Sequence, residues 1–316
     1  TGIILDRLAS EWEKATSAAA SAGCLLCLAA FASGADSHTL VITAGIGNAL
    51  FHVGSGAGIL KLYKGRAAEP GIFVSTGAFG IYAGSVIPMI DRLYVPAGVI
   101  LSALFAYSII LILSEKEKPP ADRSEYHDNV RVRKKFSLSA VQEAISVACL
   151  ILVAAFRSFE GSVFAFPWND SIYTGIALTG AVFLGKMLGG MSSDRFGGCR
   201  TAAVSLAVSA LLLGMSDQMG AGLAGVVLFN MTMPVTLSTL YRKFPEYPAA
   251  SFGILTFALY LGVLPVFAGV PEWMRSPASY TILTVISLVL ITVGLCFPLH
   301  RRKINQLYTR NRREMP

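Results

Sequence analysis

The chain has 316 residues, 54% of them hydrophobic and only 14% charged, with a formal net charge of +7. Its apolar residues come in blocks long enough to cross ~30 Å of hydrocarbon, not in the short periodic stripes of a soluble protein, and a soluble globular class is excluded. Five cysteines without metal-ligand spacing argue against a zinc site or a disulfide framework.

In chain order the blocks cover residues 15–33, 38–60, 70–90, 93–114, 139–160, 171–188, 201–215, 219–240, 250–270 and 278–298. Backbone polar groups inside lipid must be satisfied within the segment, so all ten are predicted to be helices. The first, Ala/Ser-rich, is the weakest; its Cys24-Leu-Leu-Cys27 has no second cysteine pair and reads as helix packing. A charged segment, Ser114 to Phe136, divides the blocks into four and six and reads as a linker. The basic tail is expected to lie against anionic headgroups. If the helices alternate in direction, 23 of the 26 basic residues share one side, Lys186 among them as a loop residue, and the positive-inside rule makes that side cytoplasmic. Arg92, Arg157 and Arg275 fall opposite. Topology therefore accounts for the positive charge without a nucleic-acid partner. Trp168 and Trp273 fall in outside loops, as an interfacial aromatic belt requires, and Asp91-Arg92 is expected to cap helices at an outside turn.

The stretch GGMSSDRFGGCR holds the pattern Gly190-x-x-x-Asp194-Arg195-x-Gly197. The chain opens on a second copy, Gly2-x-x-x-Asp6-Arg7, with Ala9 where the later copy has Gly197. Six predicted spans separate the copies, so both face the same side, as expected for a parallel repeat about an axis along the membrane normal. The closing glycine allows a tight turn between helices, while Asp and Arg can pair or cap helix ends. This doubled motif resembles that of the major facilitator superfamily. The resemblance implies an all-α polytopic membrane protein with two six-helix bundles. About 10 transmembrane helices of an expected 12 are counted here, matching helices three to twelve, and the chain is expected to be N-terminally truncated. The expected organisation is an incomplete N-terminal bundle over 1–114, a linker over 115–137, a six-helix bundle over 138–298 and a basic tail over 299–316.

Candidate working residues lie within the spans. Asn48 and His52 are four apart and share a helical face with Gly45 and Ser55. A mid-span imidazole costs free energy unless it meets water, a partner or substrate. His52 is either a proton carrier or a neutral ring bonded to a neighbouring helix. Gly54, Gly56 and Gly58 read as close packing, and Phe51-His52-Val53-Gly54 resembles a segment of bacterial exporters of the fosmidomycin-resistance type. Gly71, Gly80 and Gly84 match the spacing of a motif associated with antiporters in the superfamily, or form a generic helix-packing face; Ser85 replaces the usual proline. Val41 stands where drug/proton antiporters carry an arginine, against simple Arg-based coupling. Arg157 and Glu160, three apart near an outer helix end, can pair, either as an interfacial ion pair or as an outer-gate or substrate-anion site. Asn230, Thr232 and Thr236 surround Pro234, which frees a backbone carbonyl; they are cavity contacts or interhelical hydrogen-bonding groups.

No phosphate-binding G-x-x-x-x-G-K-[ST] loop occurs, so energy is expected to come from an ion gradient. The expected function is secondary active transport of a small solute by alternating access, with proton-coupled export as the finer expectation. Expected partners are the solute, a coupling proton or other ion, and membrane lipids, with no cofactor, metal or enzymatic activity. Localisation is expected in a membrane, by resemblance the bacterial inner membrane, with linker and C-terminus cytoplasmic. The alternatives are a non-transporting fragment, a ten-helix membrane protein of another fold and, without the carboxylate or nucleophile motifs it needs, a membrane-embedded transferase.

Overall fold

A computed structural model describes residues 1–7, 12–32, 37–86 and 138–313. Every regular element among them is helical: α1 (Gly2–Arg7), α2 (Trp12–Ala32), α3 (Ser37–Leu62), α4 (Ala68–Val86), α5 (Leu138–Val163), α6 (Ile172–Phe196), α7 (Gly198–Leu213), α8 (Met219–Asn230), α9 (Thr232–Lys243), α10 (Pro248–Phe267), a 3-10 turn (Glu272–Arg275) and α11 (Pro277–Arg313). Nine of the ten predicted spans coincide with described helices. The span at 93–114, the Asp91-Arg92 turn and the linker lie outside the described residues. Six stretches are long and apolar enough to cross a membrane, one of them α8 and α9 taken together, while α7 and the apolar part of α2 are shorter. The backbone of the basic tail continues α11 as helix to Arg313.

Polarity is distributed as in a protein whose solvent is lipid. Ile81, Leu211 and Phe267 are more than two-thirds exposed, while Glu160, Ser209, Thr236 and Thr284 are wholly buried. A water-soluble fold has the opposite arrangement.

The weak hydropathy of α2 has a packing cause. A side-chain carbon at Gly23 would lie 2.5 Å from the Gly47 carbonyl oxygen, and one at Gly54 would lie 2.7 Å from that of Thr16. Small residues therefore bring α2 and α3 into backbone contact, the way helices associate when no hydrophobic gradient drives them together. Cys24 is buried and Cys27 hydrogen-bonds the Ala44 carbonyl at 3.7 Å, so both are packing residues. Elsewhere Cys199 is disulfide-bonded.

Two features shape the interior. The span predicted at 219–240 is broken between α8 and α9, where Pro234 has no N–H to offer the Asn230 carbonyl. Thr232 and Thr236 hydroxyls turn back onto the Phe229 and Thr232 carbonyls at 3.0 and 2.8 Å, a local bonding that bends helices. Helix α6 lies along this break: carbons at Gly185 and Gly189 would meet the Val227 and Met231 carbonyl oxygens at 2.3 and 2.1 Å. The other face of α6 packs along α4, and α3 packs against α10, so elements of the first part of the chain contact the second part directly.

Candidate functional site

Two carboxylates join the first and second parts of the chain. Asp194, near the C-terminal end of α6, accepts hydrogen bonds from the Ala67 and Ala68 backbone N–H groups, both at 2.9 Å, and so caps the start of α4. Asp6, on α1, accepts from the Ala249 and Ala250 N–H groups at 3.0 and 2.7 Å and caps the first turn of α10. Each motif thus closes the exposed N–H end of a helix from the other part, with its negative charge at the positive end of the helix dipole. A carbon at Gly2 would lie 2.5 Å from the Ala249 carbonyl oxygen, and one at Gly190 would lie 2.3 Å from that of Ala67. The two copies match contact for contact: the glycine lets the backbones meet, and the aspartate four residues later caps.

The closing glycine of the second copy does what the spacing suggests. Gly197 sits at φ 90°, a left-handed value that favours glycine, and links α6 to α7 in a single residue. Arg195 lies over the Phe196 ring at 5.5 Å and Arg7 is exposed. Two other arginines approach Asp194: Arg66 at 3.8 Å and Arg242 at 3.9 Å, the latter also donating to the Gly65 carbonyl at 2.9 Å. Both are more than half exposed, so they add less than the amide bonds.

Within the helices, polar side chains bridge α5 to α9, α6 to α4 and α5 to α11. Arg157 is 93% buried and its Nη1 donates to the Thr232 hydroxyl at 3.4 Å. Glu160 is wholly buried and accepts hydrogen bonds from Thr284 and, at 3.5 Å, Ser287, both on α11. The expected Arg157–Glu160 pair does not form, and both side chains are buried within the protein. The helix runs on to Val163, placing both inside it and pointing them at different neighbours. Lys186 needs a similar correction. It is not a loop residue but lies ten residues inside the end of α6, half-buried, with Nζ donating to the Val74 carbonyl on α4 at 3.4 Å. Lys186 stands within electrostatic reach of both Arg157 and His52.

His52 is half-buried and meets the Phe51 and Phe73 rings edge-on at 5.6 and 6.0 Å; it makes no hydrogen bond among the described residues. Asn48, one turn away, is exposed. Asn230 is occupied locally, its amide donating to the Val226 carbonyl at 2.9 Å. Gly71 packs against α6 and α9, with 2.7 Å from its would-be carbon to the Lys186 carbonyl oxygen and 3.3 Å to Pro234. Similar carbons at Gly80 and Gly84 would meet no described atom within 4 Å, so the three glycines do not form one packing face among the described residues. Gly54 and Gly56 pack closely; a side-chain carbon at Gly58 would meet no described atom of a neighbouring helix within 4 Å. Lys186 is the residue that sequence reasoning missed. Its signal was present, since the window 171–188 already contained it.

No family model and no curated protein matches the sequence. Solved structures do. The Escherichia coli fucose:proton symporter FucP, in a single-residue variant, superposes with a TM-score of 0.63 over 93% of this chain and 85% of its own, at 15% identity. FucP in an outward conformation, described as a major facilitator superfamily transporter, gives a TM-score of 0.58 over 89% and 82%, also at 15% identity. The fold is that of the major facilitator superfamily.

Proposed function

We propose that this chain is a secondary active transporter of a small solute, working by alternating access, and that the two aspartate caps are its gate. The observation that carries this reading is the reciprocity of the caps. Two copies that release and reform together let one face open as a unit. The proposed division is a first bundle within 1–114, a linker over 115–137, a second bundle over 138–298 and a tail over 299–316, with the capped face cytoplasmic. The proposed direction is export against an inward proton. Its support is the resemblance of the segment around His52 to bacterial exporters and the glycine spacing that includes Gly71. FucP is described as a proton symporter, which supports ion coupling and leaves direction to experiment.

The test is flux into proteoliposomes containing the purified chain, with protein-free vesicles as control. Glucose, gluconate and glucosamine offer one carbon skeleton in neutral, anionic and cationic form, and inorganic phosphate adds a compact anion. Protein-dependent movement of any of them, driven by a pH difference, supports the reading. Movement of none, with or without the gradient, counts against the reading. Where flux is found, His52→Ala is expected to abolish its dependence on the imposed pH difference, because His52 is the titratable side chain of α3 facing the interior. A pH-driven flux unchanged in His52→Ala removes His52 from proton coupling.

A further inference from the structure

We infer that the interior holds an anion-binding site, formed by Arg157 and Lys186 with the Thr232 hydroxyl, and that the transported solute carries a carboxylate or phosphate group. This deepens the transport reading above and rests on it only for the word "transported".

The ten apolar spans contain two Lys or Arg residues in all, Arg157 and Lys186. Cations are costly at that depth and have no reason to collect there by chance. Yet the fold brings these two together from different helices. Arg157 on α5 reaches Thr232 at the start of α9. The backbone of Lys186 on α6 and Pro234 on α9 both close on Gly71 of α4, and the Lys186 ammonium reaches Val74 one turn further along α4. The two charges feel each other.

Nothing described neutralises them. Among the described residues neither Arg157 nor Lys186 has a carboxylate within ion-pair distance. Within the spans the acids are Glu143, exposed at the start of α5, and Glu160, which is held by Thr284 and Ser287. The span at 93–114 contains no Asp or Glu. A guanidinium has five N–H donors, and the single bond to Thr232 is long. A buried arginine with spare donors beside a second cation, without a counter-charge among the described residues, has the chemistry of a site completed by an oxyanion. Guanidinium forks match carboxylate and phosphate geometry.

Two measurements test this. The first needs no knowledge of the solute. In Thr232→Asp the chain supplies its own carboxylate beside Arg157, with Thr232→Asn as the uncharged match. If the site is built for an anion, Thr232→Asp melts higher than Thr232→Asn by a few degrees, and the order reverses in an Arg157→Gln background. A Thr232→Asp protein no more stable than Thr232→Asn overturns the proposal. The second measures melting of the detergent-solubilised full chain with sodium gluconate or phosphate, against sodium chloride at equal ionic strength and against glucose. Ligands that bind the native state raise its melting temperature. The expected result is a shift with the oxyanions alone, lost in Lys186→Gln as well as in Arg157→Gln, so a failure of either variant to fold leaves the other to decide. Equal shifts in wild type and both variants overturn the proposal. Binding of gluconate without flux in proteoliposomes would leave the site standing and remove transport. Flux of glucose or glucosamine with exclusion of the anions would do the reverse.

Discussion

Asp6→Asn and Asp194→Asn are each expected to loosen the joined face by roughly 30-fold, and to do so at one helix end apiece. Each carboxylate holds two backbone N–H groups. An amide keeps one acceptor oxygen and turns an NH2 toward an N–H, so one bond is lost along with the charge. Hydrogen bonds to charged groups contribute about 1.5–3 kcal/mol, and the charge–dipole contribution adds about 0.3–1 kcal/mol. A loss of about 2 kcal/mol is roughly a 30-fold change in population. The readout is hydrogen exchange of backbone amides. Asp194→Asn should speed exchange at Ala67 and Ala68, and Asp6→Asn at Ala249 and Ala250. Their energies should add in the double variant, because the two carboxylates hold different amides, and flux should fall with them if the face must close in each cycle. Unchanged exchange at the capped amides in both single variants would mean that the carboxylates do not hold the helix ends.

The second large effect is steric. Gly185, Gly189 and Gly190 lie on one helix, and a methyl group on any of them would fall 2.1–2.3 Å from a carbonyl oxygen of the backbone opposite. A backbone atom cannot rotate away as a flexible side chain can, so the helices must separate. Overpacking of this kind costs about 1–3 kcal/mol, and Gly185→Ala and Gly189→Ala should lower the melting temperature accordingly. Gly190→Ala differs in its address. Its clash is with Ala67, across the joined face, and it should raise exchange at Ala67 and Ala68 even though Asp194 is intact. Gly180→Ala on the same helix meets no described atom within 4 Å and should stabilise by up to ~1 kcal/mol through helix propensity. If Gly190→Ala melts and exchanges like wild type, the close approach is not maintained in solution.

Much of this was legible before any coordinates, and the reasons differ by residue. The span count could be read because a membrane imposes a length on every helix, and nine of the ten blocks meet a described helix. The doubled motif could be read because its spacing is local. Its partners could not: Ala67, Ala68, Ala249 and Ala250 carry nothing in their side chains, since it is their backbone amides that are used. Helical spacing suggested that Arg157 and Glu160 would pair, yet side chains three apart on a buried helix answer to whatever surrounds them. Thr232 lies in front of one, Thr284 and Ser287 in front of the other. Lys186 was counted with the loop charges although the window 171–188 contains it, because a charge near the end of an apolar run reads as its boundary. In the fold α6 continues to Phe196, which carries Lys186 inward. Gly71 and Gly80 are alike in sequence and unlike in surroundings, a difference that only a neighbouring helix can make.

The paired caps have the form of an isologous interface. In a two-fold dimer, residue i of one subunit meets residue j of the other, and the reverse contact follows by symmetry. Here the aspartate of each half meets the helix start of the other, within one polypeptide. Under the proposed division, each half carries both the plug and the socket. Halves made as separate polypeptides should dock on each other in the same orientation. A change in one copy of the motif should leave half of the docking intact, much as a heterozygous contact would in the dimer such a chain resembles.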